Sequence, residues 1–372
     1  MTEKNNKQKR ARRNAAVTLR DLAHEAGVGV STVSAVLAEK DWCYASEATR
    51  QRIHDAARRL RYVPNHMARA MKGLSTRTIG VIASPFASGI QFEMLQEIAE
   101  LLWERGYYVL TIYGHKNTID REHVHALVGR GLDGVIVKPS ELEGPIEQNI
   151  PDHLPCVRFD HVNPTHESHF IDRYAGSLEA ARHLIHDHGH RRILYVTKAR
   201  HKTLEPKLRG VKDALAEADL PWYDDDLVDE TETPDYIDVI VGRIRTQGIT
   251  AVMSSSDELA VELVNRLPGL GLDVPGTVAV VGFDGDRKIC SAVRPTLTTV
   301  RQPVERMAVN IVNHLMSTLP DGPTVEASGP TVIPSVLKIG QSCGCNDVDT
   351  ADHLDPTPSK NGHMAGHDEI ES

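Results

Sequence analysis

The strongest constraint on the fold is the alternation of short apolar segments with helical segments that begins at residue 78. The apolar segments are rich in β-branched residues and are predicted to be strands. They are TIGVIAS (78–84), YVLTIY (108–113), GVIVK (134–138), CVRFD (156–160), RILYVT (192–197), AVMSSS (251–256) and VAVVGFD (278–284). Helices fit between them, for example at 90–105, 175–188 and 257–267. This alternation is typical of parallel α/β layers.

The chain before residue 65 shows a helical period instead. Thr18 is placed to cap a first helix that Gly27 ends. A second helix is predicted from Val30 to Ala38, and Ser46 is placed to cap a third. Two short helices joined through Ala-Gly-Val predict a helix-turn-helix, whose second helix enters the major groove of DNA.

The two signs of charge are segregated along the chain. Residues 1–77 contain 16 Lys and Arg against 7 Asp and Glu, whereas the rest contains 26 against 44, for a net charge of −9. A basic segment can neutralise phosphates and release their counterions, and an acidic one is repelled by the same duplex. The first 77 residues are therefore the candidate DNA-binding part.

The predicted second helix of the helix-turn-helix presents small side chains to DNA. The residues expected to point outward and read base edges are Val30, Ser31 and Ala35. The residues placed to contact phosphates are Arg20, Thr32, Ser34 and Arg50. In the connection between the second and third helices, Trp42 and Tyr44 either shield the helical core or meet the DNA backbone.

Several other classes of protein are disfavoured. The chain has no run of about 18 apolar residues, and its first 16 residues are polar and basic, so neither membrane spanning nor export is expected. No GxGxxG or phosphate loop follows a predicted strand, so no nucleotide cofactor is expected. The run Ser254–Ser256 lacks a nucleophile elbow, and no catalysis is predicted.

Cysteine and histidine residues give little support for a metal site in the sequence alone. The five cysteines are odd in number and scattered, which fits reduced thiols in a cytoplasm. Cys343 and Cys345 form the only close pair, and no His or Cys follows them at finger-like spacing. The histidines from His183 to His190 are assigned to the polarity of a helix C-terminus. No metal is expected.

Longer stretches resemble a known family. VTLRDLAHEAGVGVSTVSAVL (17–37), followed by SEATRQRIHDAARRLRYVPNHMARAMKGLSTRTIG (46–80), is similar to the N-terminal signature of the lactose-repressor (LacI/GalR) family. FIDRYAGSLEAARHLIHDHGHRRILYV, SSSDELAVELV, VPGTVAVVGFDG and PTLTTVRQPVERMA resemble its effector-binding core. The resemblance covers roughly residues 17–345 and implies an N-terminal all-α helix-turn-helix domain plus an α/β periplasmic-binding-protein-like (type I) two-lobed core.

The resemblance implies five segments along the chain. These are a flexible basic arm (1–16), the helix-turn-helix domain (17–64), a hinge helix and linker (65–76), the effector-binding and dimerisation core (77–345) and a disordered tail (346–372). In the family the hinge helix folds on the operator and wedges an apolar side chain into the minor groove. The matching positions here are Asn65, Ala68, Arg69 and Met71. Met71 either acts as the wedge or anchors a linker against the core, and Arg69 either enters the groove beside it or remains a solvated charge.

Ligands of parallel α/β folds bind at the carboxyl ends of strands, here between the two lobes. Asp284 matches the carboxylate with which the family holds effector hydroxyl or amine groups, and Lys207 stands where Arg often does. Asp160 and Ser256 follow other strands, and Phe86 either offers an apolar face to the effector or packs in the core.

Some positions depart from the family pattern. Gly29, Ala35 and Ala38 replace common polar residues, so the operator sequence stays open. Lys207 lacks the planar fork of Arg, which weakens any transfer of effector identity.

The sequence therefore predicts a cytoplasmic, nucleoid-associated homodimeric regulator of repressor type, with a pseudo-palindromic operator and a sugar-like or purine-like effector. A solute receptor, an enzyme on the same framework and a regulator without an effector are the alternatives that stay open.

Overall fold

The computed structural model describes residues 17–38, 43–63, 74–82, 89–112, 121–138, 149–159, 168–198, 204–320 and 331–346. The chain divides into two units between Leu74 and Ser75, which we call the head (Met1–Leu74) and the core (Ser75–Ser372). No helix within the described ranges combines the length and apolar character needed to cross a membrane.

Three helices form the described part of the head. They are α1 (Leu19–Ala26), α2 (Val30–Leu37) and α3 (Glu47–Leu60). The predicted caps are confirmed: Thr18 and Asp21 form a capping box, and the Ser46 hydroxyl accepts a hydrogen bond from the Thr49 amide. Gly27 ends α1 in the left-handed conformation, which lets the chain turn directly into α2. Leu22, Val33 and Ile53 are fully buried where the helices meet.

The core contains two six-stranded sheets. The first, which defines the N-lobe, has the order β11-β5-β4-β3-β1-β2, and all its pairs are parallel. Its strands are β1 (Thr78–Ile82), β2 (Tyr108–Thr111), β3 (Gly134–Val137), β4 (Cys156–Phe159), β5 (Ser168–Asp172) and β11 (Val332–Pro334). Helices α4 (Gly89–Glu104), α5 (Arg121–Val128) and α11 (Val304–Thr318) accompany this sheet.

The second sheet defines the C-lobe and has the order β12-β10-β9-β8-β6-β7, with β12 antiparallel to β10. Its strands are β6 (Ile193–Thr197), β7 (Leu227–Asp229), β8 (Ala251–Ser254), β9 (Ala279–Asp284), β10 (Thr298–Arg301) and β12 (Val336–Lys338). Its helices are α6 (Arg173–Arg182), α7 (Leu204–Glu217), α8 (Tyr236–Gln247), α9 (Asp257–Arg266) and α10 (Arg287–Ala292). A π-helical turn, His183–Asp187, continues α6.

The chain passes between the lobes three times. The passages are Asp172–Arg173 from β5 to α6, Gln302–Pro303 from β10 to α11, and Ser335 from β11 to β12. The Ser335 hydroxyl donates to the Asp172 carbonyl oxygen at 2.6 Å, so two of the passages are bonded directly to each other. Such adjacent connections are suited to a hinge between the lobes.

All seven predicted strands are present, each with bounds within two residues of the predicted ones. The strands β5, β7, β10, β11 and β12 were not predicted. Three of these five have only three residues, too few to show a period of two in the sequence. Thr76, the last residue of the predicted linker, and Arg77 donate backbone hydrogen bonds to the Asp133 carboxylate in the core at 2.9 and 2.8 Å.

Candidate functional site

The first candidate site is the exposed side of α2 in the head. Val30 is 42% exposed, and Ser31 beside it is exposed as well. Thr32 and Ser34 are half-buried. Gly29 supplies no side-chain cap to α2, so its first-turn amides receive no acceptor from that residue. The helix N-terminus therefore presents amide donors together with Val30 and Ser31, an arrangement that suits an anionic partner.

The sequence expectation that Ala35 points outward is wrong. Ala35 is 3% exposed and packs in the apolar cluster of the head with Val33 and Val36. The alanine side chain is a single methyl group close to the helix axis, so neighbouring helices cover it even at the margin of the buried face. We therefore keep Val30 and Ser31 as base-reading candidates and leave Ala35 out.

The phosphate candidates differ in how firmly they are held. Arg20 is exposed on α1. Arg50 on α3 is half-buried, and its Nη2 donates to the Cys43 carbonyl oxygen at 2.7 Å, which leaves its other guanidinium donors for a phosphate.

Tyr44, in the connection between α2 and α3, is 98% exposed and does not shield the helical core. Of the two interpretations for this residue, the shielding one is therefore wrong.

Several predicted site residues lie outside the described residues. They are the hinge positions Asn65, Ala68, Arg69 and Met71, Trp42 of the connection, and the effector candidates Phe86 and Asp160.

The second candidate site lies at the carboxyl end of β9 in the core. Asp284 is the last residue of this strand and has a φ of 119°, a conformation that side chains other than glycine rarely adopt. Its Oδ1 accepts a hydrogen bond from Gln302 Nε2 at 2.7 Å. Lys207 Nζ of α7 lies 3.9 Å from the same oxygen. The structure thus brings together Asp284 and Lys207, both of which were predicted as site residues from the sequence. It adds Gln302, which was not predicted.

Lys207 is held in place by three neighbours. Its side chain is 7% exposed, its Nζ donates to the Ser255 carbonyl oxygen at 2.8 Å, and the same atom lies 3.8 Å from the centre of the Phe283 ring. A buried ammonium group needs such partners to offset its lost hydration. A fixed cation beside a carboxylate can orient a polar ligand that offers both donors and acceptors.

Asp257, at the start of α9, fixes the turn that follows Asp284. Its Oδ2 accepts hydrogen bonds from the amides of Gly285 and Asp286 at 2.7 and 2.8 Å, and its Oδ1 accepts from the Thr299 hydroxyl. This role was not predicted from the sequence, because an acidic residue at the first position of a helix also serves as an ordinary complement to the helix dipole.

The two carboxyl groups affect each other's protonation. Burial, and next the charge of Asp284, raise the pKa of Asp257 to about 7. Burial also raises the pKa of Asp284, and the neighbouring Lys207 ammonium and the Gln302 hydrogen bond oppose this rise. Lys207 and Gln302 therefore favour the charged form of Asp284, the form that accepts hydrogen bonds from a ligand.

Ser256 lies close by but has a structural partner. Its hydroxyl caps α9 by accepting a hydrogen bond from the Leu259 amide at 3.4 Å. This capping can coexist with a ligand contact, so the prediction that Ser256 binds an effector stays a prediction. The neighbouring Ser254 is buried, and its hydroxyl donates to the Ser256 carbonyl oxygen at 2.7 Å.

Comparison with known proteins gives the family. The description "Bacterial regulatory proteins, lacI family" matches residues 18–65, and "Periplasmic binding protein-like domain" matches residues 181–343. The HTH-type transcriptional regulator GalR of Escherichia coli (strain K12) is 31% identical over 330 residues, which are 85% of this chain and 94% of that protein. The chain belongs to the lacI family of bacterial regulatory proteins.

Other lacI-family members agree with this assignment. The HTH-type transcriptional repressor PurR of Vibrio parahaemolyticus is 28% identical over 312 residues, covering 82% of this chain and 92% of that protein. A lac repressor dimer bound to operator and the anti-inducer ONPF has the same fold, with a TM-score of 0.73 at 21% identity over 88% of this chain and 99% of that one. The transcriptional regulator CelR in complex with cellobiose gives a TM-score of 0.60 at 26% identity, with the same coverage of both chains.

Membership of the lacI family confirms two sequence predictions. The chain has an all-α helix-turn-helix head and an α/β core of the periplasmic-binding-protein type. It is a transcription regulator with a DNA-binding head and an effector-binding core, and its relatives are regulators rather than enzymes.

Proposed function

We propose that this lacI-family protein is a cytoplasmic repressor that binds a pseudo-palindromic operator as a homodimer and changes its operator affinity when a small molecule binds beside Asp284. The arrangement of Asp284, Lys207 and Gln302 is the observation that carries the proposal. It joins a polar site at the end of β9 to a passage between the lobes, where a ligand can favour one lobe arrangement over another.

In the proposed complex, Val30 and Ser31 of α2 meet base edges in the major groove. Arg20, Thr32, Ser34 and Arg50 contact phosphates and set the register. Met71 enters the minor groove as an apolar wedge, with Asn65, Ala68 and Arg69 beside it, and kinks the duplex at the centre of the operator. These hinge roles rest on the sequence resemblance alone.

The proposed dimer is supported by an apolar surface on α4 and β2. Phe92 is 54% exposed, Trp103 65% and Tyr108 51%, and the rings of Trp103 and Tyr108 pack edge to face at 5.4 Å. Phe92 and Trp103 are three helical turns apart and lie on one side of α4. Exposed aromatic residues in such a group are typical of a subunit interface, and the lac repressor with this fold is a dimer on its operator.

The proposed effector is a sugar or a sugar derivative, with a purine-like molecule as the second candidate. A sugar offers hydroxyl groups that can donate to the Asp284 carboxylate and accept from the Lys207 ammonium. The named ligand of the solved CelR complex, cellobiose, belongs to this class.

DNA selection with the purified protein tests the proposal. Genomic fragments are selected at low salt with and without a panel of sugars and purines, and the bound fragments are sequenced. We expect one dyad-symmetric motif whose recovery changes with one ligand, and an affinity that falls steeply as salt rises.

The alternatives give different results in the same experiment. A solute receptor would bind a ligand without enriching any motif, and an effector-independent regulator would enrich a motif that no ligand changes. For the wedge, Met71→Ala is expected to weaken specific binding and to leave non-specific binding intact, and equal losses in both would argue against it.

A further inference from the structure

Four metal-ligating side chains meet where the C-terminal segment packs against the end of α6. They are His183 and His188, at the two ends of the π-helical turn, and Cys343 and Cys345, which follow β12. One ligand atom from each residue lies within 4.8 Å of the others. No His or Cys follows the cysteine pair at finger-like spacing, but two histidines that precede it by about 160 residues lie beside it in the structure.

The distances among these atoms have the dimensions of a tetrahedral site. His183 Nε2 and His188 Nε2 are 3.2 Å apart, Cys343 Sγ is 3.5 Å from His183 Nε2, and Cys345 Sγ lies 3.7 and 3.3 Å from the two nitrogens. Bonds of about 2.05 Å to nitrogen and about 2.3 Å to sulfur at tetrahedral angles place nitrogens about 3.3 Å apart and nitrogen and sulfur about 3.6 Å apart. These four separations lie close to those values and the other two are within 4.8 Å, so the cluster has the size of a four-ligand zinc site.

The surroundings of His183 also fit a metal ligand. Its Nδ1 lies 2.7 Å from Asp187 Oδ2, so a proton on Nδ1 is held by the carboxylate and Nε2 is left to face the other three residues. A ligating histidine whose second nitrogen donates to a carboxylate is the usual arrangement in zinc sites. The π-helical geometry places His183 and His188 on one side of the turn. Such turns occur often at functional sites.

Gly344, between the two cysteines, has a backbone conformation that brings both sulfurs near the histidines. Gly344 has a φ of +108°, and a Cβ at this position would lie 3.2 Å from His188 Nδ1. Any side chain here would strain the backbone and press on the imidazole ring. Glycine lets the Cys-Gly-Cys segment turn both sulfurs towards the histidines.

We propose that His183, His188, Cys343 and Cys345 bind one structural zinc ion. Two thiolates and two imidazoles in a tetrahedron select zinc over the hard cations Mg²⁺ and Ca²⁺, and four protein ligands leave no open position for a substrate. Cys343 is 1% exposed and the His183 side chain 11%, so the site is closed to bulk water on that side.

The zinc ion would fasten the C-terminal segment to the C-lobe. Ser342, next to Cys343, donates from its hydroxyl to the Val280 carbonyl oxygen of β9 at 2.6 Å, and α6 begins at the passage from the N-lobe. The ion would thus link β9, which carries Asp284, to the helix that follows the Asp172–Arg173 passage. This role goes beyond the proposed effector response and does not depend on it.

Elemental analysis of the purified full-length chain, without an affinity tag, tests the proposal. We expect about one zinc ion per chain after dialysis, and near zero for the double variant Cys343→Ser/Cys345→Ser. Cys156→Ser in β4 is the matched cysteine control and is expected to retain the metal. Because the tail contains further histidines, the triple variant His353→Asn/His363→Asn/His367→Asn is the second control and is also expected to retain it.

Cobalt substitution keeps the test decisive if the double variant fails to fold. The wild-type chain reconstituted with Co²⁺ is expected to show the visible bands of a tetrahedral site and a thiolate-to-cobalt charge-transfer band. In His188→Cys, that charge-transfer band should grow by about one half, because three sulfurs replace two. Three results would overturn the proposal: absence of zinc from the wild-type chain, loss of zinc in the triple tail-histidine variant, or a Cys343–Cys345 disulfide in the freshly purified protein.

Discussion

Gln302 binds Asp284 twice: its backbone amide donates to the Asp284 carbonyl oxygen at 3.0 Å, and its side-chain Nε2 donates to Oδ1 at 2.7 Å. Gln302 is also the first residue of a passage between the lobes. The carboxylate that we propose to bind the effector is therefore hydrogen-bonded directly to a segment that must move when the lobes rearrange. This link gives a ligand at Asp284 a physical route to the hinge.

We expect Gln302→Leu to lower effector affinity by about tenfold or more, since a hydrogen bond to a charged group contributes roughly 1.5–3 kcal/mol. Loss of this donor should also raise the pKa of Asp284 further, so that effector binding disappears at a higher pH than in the wild type. Calorimetric titration with the sugar found by DNA selection, from pH 5 to 8, measures both effects. Gln247→Leu, at the end of α8, is the control, and equal affinities in wild type and Gln302→Leu would contradict the link.

We expect the fold to tolerate the substitution Asp257→Asn but to lose much of its stability in Asp257→Ala. Asp257→Ala leaves the buried amides of Gly285 and Asp286 without an acceptor and should lower the free energy of unfolding by about 3 kcal/mol. In Asp257→Asn, the amide oxygen can serve both backbone amides, while its NH₂ donates to the Thr299 hydroxyl, which then acts as acceptor. We expect a loss below about 1 kcal/mol in that variant.

Urea denaturation at pH 7 separates the two Asp257 variants. The exposed Asp273→Asn in the same lobe is the matched control. If asparagine and alanine cost the same, the turn after Asp284 does not depend on the hydrogen bonds of Asp257.

The sequence predicted those features whose causes are local. The caps at Thr18 and Ser46 and the turn at Gly27 depend on neighbouring residues only, and all three are present. The position of Asp284 followed from its place at the end of an apolar run. Lys207 was found through the resemblance alone, because nothing in the helical period of α7 marks it as a ligand-facing residue.

The features that escaped prediction depend on contacts between distant segments. Gln302 meets Asp284 because β10 lies beside β9, and no spacing along the chain reveals this pairing. The Cys and His residues of the proposed zinc site are separated by most of the C-lobe. The predicted exposure of Ala35 was wrong for a different reason. A helical period can place a residue near the margin of a buried face, but only the packing of neighbouring helices decides whether that margin is covered.

A buried histidine in the N-lobe, His169, should make stability depend on pH. His169 is fully buried, with Nε2 3.0 Å from His314 Nδ1 and Nδ1 2.6 Å from Thr331 Oγ1. Burial, and next the charge of His314, lower the pKa of His169 to about 4. The unfolded chain, with a pKa near 6.5, binds more protons between these values, so stability is complete above pH 6.5 and falls as the pH drops towards 4.

The loss attributed to His169 is at most about 3 kcal/mol by pH 4. Urea midpoints at pH 7 and pH 5 measure it, and His169→Leu should show a smaller difference between the two than the wild type. The exposed His153→Gln is expected to keep the wild-type difference. An unchanged difference in His169→Leu would show that other groups cause the acid sensitivity.

The head offers a contrast between a buried and an exposed residue of the same helix. Ala35→Leu adds three heavy atoms to a filled three-helix core, and overpacking of this kind costs roughly 1–3 kcal/mol. Faster hydrogen exchange in Glu47–Leu60 of the full-length chain, and equal losses of specific and non-specific DNA binding, are therefore expected. Val30→Ala removes exposed methyl groups, should leave exchange unchanged, and should weaken binding only to the selected motif. Normal exchange together with an altered base preference in Ala35→Leu would instead return Ala35 to the recognition surface, because only a side chain that reaches the DNA can change which base is preferred without loosening the core beneath it.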